Sequence, residues 1–167
     1  QVKVVLFNIS NHLSENCALN KNRLIDTKHF KDFTEVNVSF DPPELTAETL
    51  VIDGLFGIGL NKPLAGGFAS LVKYINQSPS KVVSIDVPSG LLAEDNSRNV
   101  RANIIQADLT LTLHQKKLSF LLGESQQFLG RVKVLDIRLS REFISKTGAQ
   151  YAILEESEVR EKLLTRG

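Results

Sequence analysis

The sequence predicts an α/β protein in which a mostly parallel sheet lies between layers of helices. Three observations support this fold class. Short apolar runs rich in β-branched residues recur along the chain, amphipathic or polar connections separate them, and two of the runs end in an aspartate followed by a loop rich in glycine or proline. Strands that alternate with helical connections are typical of parallel sheets covered by helices.

Six segments have the composition expected of strands. The predicted strands span residues 2–7, 36–40, 50–53, 81–85, 107–113 and 131–137. A helix is predicted over residues 14–30. A second helix is predicted over residues 67–76, where apolar residues recur every three or four positions. Between residues 40 and 44 the sequence Asp-Pro-Pro predicts a turn.

Composition limits the classes of partner. The chain has 167 residues, of which 42% are hydrophobic and 23% charged, and its net charge is +1. This balance gives no reason to expect binding to nucleic acid or to an anionic membrane. The single cysteine, Cys17, cannot form an internal disulfide, which fits a reducing compartment. No apolar run reaches the length of a membrane span, so we expect a cytoplasmic protein with no membrane partner.

The two ends of the sequence suggest a piece of a larger protein. The chain starts at Gln1, next to a predicted strand, and it contains no methionine. Residues 155–164 are charged and amphipathic, as in a helix or a linker, and the sequence stops soon afterwards at Gly167. We therefore expect that the N-terminal part of the domain is missing and that another domain follows.

Two aspartates mark a candidate site. Asp53 and Asp86 each end a predicted strand and precede a loop of small residues. In open parallel sheets, ligands bind beyond the carboxyl ends of the strands, so both aspartates are expected at the same edge. The alternative is that each carboxylate caps a following helix or turn.

The loop after Asp53 is rich in glycine. Its backbone amides are open to a ligand, and Lys62 could add positive charge toward a phosphate. The spacing of Gly54, Gly57 and Gly59 differs from the dinucleotide-binding fingerprint, and a simple tight turn is the alternative.

The segment after Asp86 is more specific. Asp86 and Ser89 lie three residues apart on a turn shaped by Pro88 and Gly90, so a carboxylate and a hydroxyl can converge. Asp86 could act as a general acid or base. The oxygens of Asp53 and Ser89 are of the type that hard cations prefer, although Ser89 as a simple cap is the alternative.

Other polar residues are weaker candidates. The three histidines lack the spacing of metal ligands. The segment Gln115-Lys116-Lys117 follows a predicted strand and is expected to be a solvated loop, with a phosphate contact as the alternative.

Three stretches resemble the NAD(P)H-hydrate epimerase family. They are VIDGLFGIGLNKPLAGGFASLVKYIN, KVVSIDVPSGL and ADLTLTLHQKKLSFLLGESQQFLGRVKVLDI. The resemblance runs over about residues 1–140 and is densest over residues 50–137. The combination of Asp-x-x-Phe-Gly-x-Gly with Ile-Asp-x-Pro-Ser-Gly carries it.

The resemblance implies a Rossmann-like three-layer α/β/α fold and an isomerase of nicotinamide-nucleotide repair. Such an enzyme interconverts the R and S forms of hydrated NADH and NADPH (NADHX and NADPHX). By the same resemblance, Asp53 and Ser89 would hold one potassium ion per subunit, and Asp86 would bind the substrate and act in catalysis. The substrate phosphates would lie along Gly57-Ile58-Gly59-Leu60-Asn61-Lys62-Pro63. A homodimer or higher homo-oligomer is also expected.

One part of the family pattern is absent. The family has an Asn-Asn-Gly-Gly-Asp-Gly loop that would lie before Gln1 and supply further potassium and phosphate contacts, so the site of these 167 residues is expected to be incomplete. Residues 1–150 are interpreted as the epimerase domain. Residues 151–167 resemble the linker that, in bifunctional members, leads to an ADP- or ATP-dependent dehydratase, a lyase.

Two other functions are considered. A non-catalytic scaffold or binding module of the same fold would not need Asp53, Asp86 and Ser89 together. A nucleotide-dependent dehydrogenase would be expected to carry the Gly-x-Gly-x-x-Gly fingerprint, which this chain lacks.

Overall fold

The computed structural model describes residues 1–9, 12–27, 32–148, 151, 154 and 156–163. The described strands are β1 (Val4–Phe7), β2 (Phe33–Val36), β3 (Leu50–Asp53), β4 (Lys81–Ile85), β5 (Leu109–Leu113) and β6 (Arg131–Leu135). The described α-helices are α1 (Glu15–Ile25), α2 (Gly66–Gln77), α3 (Gln126–Leu129), α4 (Arg141–Lys146) and α5 (Glu156–Lys162). Short 3₁₀ turns span Arg101–Asn103, Leu118–Leu121 and Gly123–Ser125.

All described strand pairs are parallel, as predicted. Strands β3, β4, β5 and β6 form one sheet in that order, and β1 pairs with β2 in a separate two-stranded sheet. Parallel neighbours need crossover connections, and the long segments between these strands supply them. Parallel sheets flanked by helices confirm the predicted Rossmann-like α/β class.

One face of the four-stranded sheet carries both the core and the site. The register pairs Val51 with Val82 and Asp53 with Ser84, so these side chains point to the same face. Val82 packs with Val72 and Ile75 of α2 in the main apolar cluster. The face opposite is partly open, because Leu50 and Ile52 are exposed. Helix α2 therefore packs against the same face of the sheet as the one to which Asp53 points.

The second predicted strand was wrong. The structure has β2 at Phe33–Val36 and not over residues 36–40, and Val38 is 91% exposed. The reason is the pairing with β1, which buries Val36 and ends the ladder at that residue. Helix α1 begins where predicted, after its N-cap Ser14, but ends at Ile25, and residues 28–30 of that prediction lie outside the described residues. None of the described helices combines the length and the apolar character needed to cross a membrane.

Asp108 gives the first testable prediction. Its carboxylate accepts hydrogen bonds from the Val82 backbone N–H at 2.8 Å and the Lys81 ammonium at 2.9 Å, and these bonds lower the pKa of Asp108. A carboxyl group whose pKa is lower in the folded state contributes stability above its unfolded pKa of about 3.9 and loses it as the pH falls through the folded value.

Asp108→Asn is therefore expected to make the free energy of unfolding less dependent on pH below about pH 5. The difference is expected to be small, because the Asp108 side chain is 42% exposed and solvent screens it. Urea unfolding of both proteins at several acidic pH values measures it. The prediction would be contradicted if the free energy of unfolding changed with pH to the same extent in the wild type and in Asp108→Asn.

Candidate active site at the carboxyl edge of the sheet

Asp53 is a buried carboxylate at the end of β3. It is 3% exposed, and its Oδ2 atom accepts hydrogen bonds from Ser84 Oγ and from the Ser89 backbone N–H, both at 2.8 Å. Its Oδ1 atom accepts a hydrogen bond from Ser89 Oγ at 2.5 Å. Asp53 therefore fastens the turn after β4 to the end of β3.

Ser89 links this carboxylate to the glycine-rich loop. Its hydroxyl donates to Asp53 and accepts a hydrogen bond from the Phe56 backbone N–H at 3.0 Å. A hydroxyl oxygen has two lone pairs, so one remains for a further ligand. The structure thus brings together the two residues predicted to hold a cation.

Asp53 has no basic partner among the described residues. All of its hydrogen bonds come from hydroxyls and backbone N–H groups, which are neutral. A buried carboxylate without a counter-charge is costly, and a hard cation bound by oxygen atoms would compensate it. The chemistry of this donor set therefore fits a hard cation bound by oxygen atoms.

Neither candidate aspartate caps a helix. The helix that follows Asp53 begins after Ala65, which makes no side-chain cap. Asp86 accepts its backbone hydrogen bond from Leu113, which belongs to the neighbouring strand. Capping of a helix is therefore wrong at both positions, whereas capping of a turn holds for Asp53, whose Oδ1 atom accepts a hydrogen bond from the Leu55 backbone N–H at 3.4 Å.

Asp86 lies in a strained turn. Its φ angle is +68°, and the Val87 N–H donates to the Ile85 carbonyl at 2.9 Å, which closes a three-residue turn around it. His114, just after β5, has the same arrangement, with φ +65° and a bond from Gln115 N–H to the Leu113 carbonyl at 2.7 Å. Left-handed backbone at a residue other than glycine costs about 1–3 kcal/mol and is concentrated at functional sites.

Lys117 is the residue that sequence reasoning missed. Its ammonium lies 2.7 Å from Asp86 Oδ1, and the two side chains are 13% and 15% exposed, respectively. The expectation that residues 115–117 form a solvated loop is therefore wrong for Lys117. The turn at His114 and the 3₁₀ turn that begins at Leu118 fold the chain back across the end of β4. The one local signal was the position of Lys117 directly before an apolar segment.

The glycine-rich loop is open to solvent. Gly57, Gly59, Asn61 and Lys62 are exposed, and a Cβ atom built on either glycine would meet no atom within 4 Å. Ile58 is also exposed, whereas Leu60 packs against the main apolar cluster. The fold therefore does not require glycine at positions 57 and 59.

The site residues lie in the part of the chain that a family of known proteins shares. A sequence model described as "YjeF-related protein N-terminus" matches residues 1–119. The chain belongs to this family. The match to the YjeF-related family includes Asp53, the loop of residues 57–63, Asp86, Ser89 and Lys117, and it ends before β6.

Curated relatives include single-function and bifunctional proteins. The NAD(P)H-hydrate epimerase of Limosilactobacillus fermentum is 35% identical over 108 residues, which are 65% of this chain and 51% of that protein. The bifunctional NAD(P)H-hydrate repair enzyme Nnr of Thermofilum pendens is 33% identical over 117 residues, 70% of this chain and 20% of that enzyme. The Nnr enzyme of Thermosynechococcus vestitus is 42% identical over 82 residues, 49% of this chain and 16% of that enzyme. The chain spans about half the length of the curated epimerases that it matches.

Proposed function

We propose that the protein catalyses epimerisation of NADHX and NADPHX, the hydrated forms of NADH and NADPH. The observation that carries this proposal is the Asp86 carboxylate, held in a strained turn at the carboxyl edge of the sheet. Membership of the YjeF-related family and the names of the relatives support the same activity.

The chemistry requires proton transfer at an oxygen atom. The reacting carbon of the substrate bears a hydroxyl group and a ring nitrogen, so it is a hemiaminal. Its configuration is lost either when hydroxide leaves with assistance from nitrogen or when the ring opens to an aldehyde, and both routes move a proton at the hydroxyl oxygen. A carboxylate within hydrogen-bonding reach provides this transfer, so we assign Asp86 as the general acid or base.

The glycine-rich loop is the proposed phosphate-binding element. Its backbone amides are exposed, and Gly57 and Gly59 leave open space in front of them. Successive amides of such turns bind anions, and the exposed Lys62 adds a positive charge. The Phe56 N–H, at the start of the loop, donates to Ser89 Oγ, which joins the loop to the candidate cation site.

Gly57→Ala tests the loop directly. The added Cβ meets no protein atom within 4 Å, so the free energy of unfolding is expected to change by less than about 0.5 kcal/mol. The same methyl group obstructs the approach of a phosphate, so we expect about tenfold weaker substrate binding, equivalent to about 1.4 kcal/mol. Gly67→Ala in α2, which also faces open space, is the matched control. Unchanged substrate binding by a folded Gly57→Ala variant would exclude the loop as the phosphate site.

We infer that one potassium ion per subunit is held by Asp53 and Ser89. The buried carboxylate lacks a basic partner, and Ser89 Oγ retains a lone pair, which together favour an oxygen-bound cation. When bound, the ion would offset the charge of Asp53 and of nearby phosphates and would order the two loops. Asp53 itself orients Ser89, through its bonds to both the hydroxyl and the backbone N–H.

The same proposal covers the domain organisation of the protein, its oligomeric state and its location. We propose that residues 1–150 form the epimerase domain and that residues 151–167 are a linker toward an ADP- or ATP-dependent dehydratase. Helix α5 has no buried residue, as expected of a linker. We also propose that the protein forms a homodimer or a higher homo-oligomer. Its proposed location is the cytoplasm, with neither nucleic acid nor a membrane as a partner.

The function is tested with the protein expressed from its complete gene. A single epimer of NADHX is incubated with the protein in potassium or in sodium buffer, and the two epimers are separated by chromatography over time. We expect interconversion that is faster in potassium. Binding of NADHX without interconversion would favour the non-catalytic binding module.

A further inference from the structure

The carboxylate of Asp86 is held from one side. Its Oδ1 atom lies 3.0 Å from the Leu113 backbone N–H and 2.7 Å from the Lys117 ammonium, and Thr112 Oγ1 is at 3.4 Å. Across the described ranges, no hydrogen bond reaches Oδ2. One oxygen is therefore fixed by the protein, and the other remains for a ligand.

Lys117 is held against the protein by three partners. Its ammonium forms an ion pair with Asp86 and donates hydrogen bonds to the Leu113 carbonyl at 3.1 Å and the Gln115 carbonyl at 3.2 Å. The side chain is only 13% exposed, so its ammonium faces Asp86 and these two loop carbonyls. This position favours a contact with Asp86 over the phosphate contact considered as the alternative for this segment.

The neighbouring lysine provides a contrast. Lys116 is exposed and makes no hydrogen bond or ion pair with any other described residue. The two lysines are adjacent in sequence, but the Lys117 ammonium contacts Asp86 and two loop carbonyls, whereas Lys116 makes none of these contacts. Their comparison separates the effect of this contact from a general effect of positive charge near the site.

We propose that Lys117 is a positioning residue that fixes Asp86 Oδ1, so that Oδ2 meets the reacting hydroxyl group of the substrate. This inference rests on the proposed epimerase function. The hydrogen bonds from Leu113 N–H and Thr112 Oγ1 both come from the neighbouring strand, whereas the ammonium is the one charged group among the described residues that contacts Oδ1. Small errors in the placement of a reacting group cost about a hundredfold in rate.

The test compares Lys117→Met, Lys117→Arg and Lys116→Met in the epimerisation assay. We expect Lys117→Met to lower kcat about a hundredfold while KM changes by less than about threefold, because Lys117 orients the carboxylate and does not touch the phosphates. Lys117→Arg is expected to recover at least about tenfold of this loss, since the guanidinium keeps the charge and the donors. Lys116→Met should match the wild type.

A structural role alone would give a different pattern. Thermal unfolding of each variant checks that it is folded at the assay temperature. Where Lys117→Met does not fold, Lys117→Gln takes its place, because its amide can still donate to the loop carbonyls. A folded neutral variant with wild-type kcat overturns the inference. So does one in which only KM rises, and so does equal activity of the arginine and neutral variants.

The two proposals fail in distinguishable ways. An inactive wild-type protein contradicts the epimerase function itself. An active wild-type protein whose folded Lys117→Met variant is equally active contradicts only the role of Lys117.

Discussion

Replacing Asp86 with asparagine is expected to lower the rate of epimerisation by about a hundred- to ten-thousandfold, the contribution typical of a general acid or base. Asparagine has nearly the same shape as aspartate and tolerates the left-handed backbone found at this position, where φ is +68°. The substitution therefore removes the charge and the proton-transfer capacity with little added strain.

Asp95→Asn is the matched control for this variant. Asp95 is an exposed loop aspartate four residues after the buried Leu91, and among the described residues its carboxylate accepts hydrogen bonds from Ser97 alone. Its replacement should leave the rate of epimerisation unchanged. Equal rates for Asp86→Asn and the wild type would show that Asp86 does not transfer the proton.

Gly90→Ala is expected to cause the largest loss of stability among substitutions near the site. Gly90 has φ +96°, and an added Cβ would lie 2.2 Å from the Asn103 carbonyl oxygen and 2.9 Å from Ile104 Cα. Both obstacles are backbone atoms, and the Ile105 N–H bond to the Ser89 carbonyl at 2.9 Å holds that segment in place. We expect the free energy of unfolding to fall by about 4 kcal/mol or more.

Urea unfolding measures this loss. Gly67→Ala, whose added Cβ faces open space in α2, should differ from the wild type by less than about 1 kcal/mol. Because Gly90 follows Ser89, Gly90→Ala should also disturb the bond between Ser89 and Asp53. A Gly90→Ala protein as stable as the wild type would mean that the turn after β4 is not packed as described.

Local sequence signals predicted the elements that carry the site. Strands β3 and β4 occur at the predicted residues, and α2 extends its prediction by one residue at each end. Each of these elements combines a clear apolar pattern with flanking glycine, proline or serine, which fixes its ends locally. Because parallel strands end at one edge, the pattern also predicted correctly that Asp53 and Asp86 lie at the same edge, and the structure shows that β3 and β4 are neighbours there.

Contacts between distant residues were not predictable in this way. The bounds of β2 depend on its register with β1, because residues 36–40 alternate whereas the observed strand contains two adjacent polar residues, Thr34 and Glu35. The pairing of Lys117 with Asp86 joins residues that are far apart in sequence and depends on the turn at His114. The bonds from Ser84 and Ser89 to Asp53 likewise arise from strand pairing and not from spacing.

The most direct test of the central claim is the interconversion of purified NADHX epimers by the wild type and Asp86→Asn, each in potassium and in sodium buffer. We predict interconversion by the wild type that is faster in potassium and a loss of about a hundredfold or more in Asp86→Asn. A folded wild-type protein that binds NADHX but leaves a single epimer unchanged in both buffers would contradict the account.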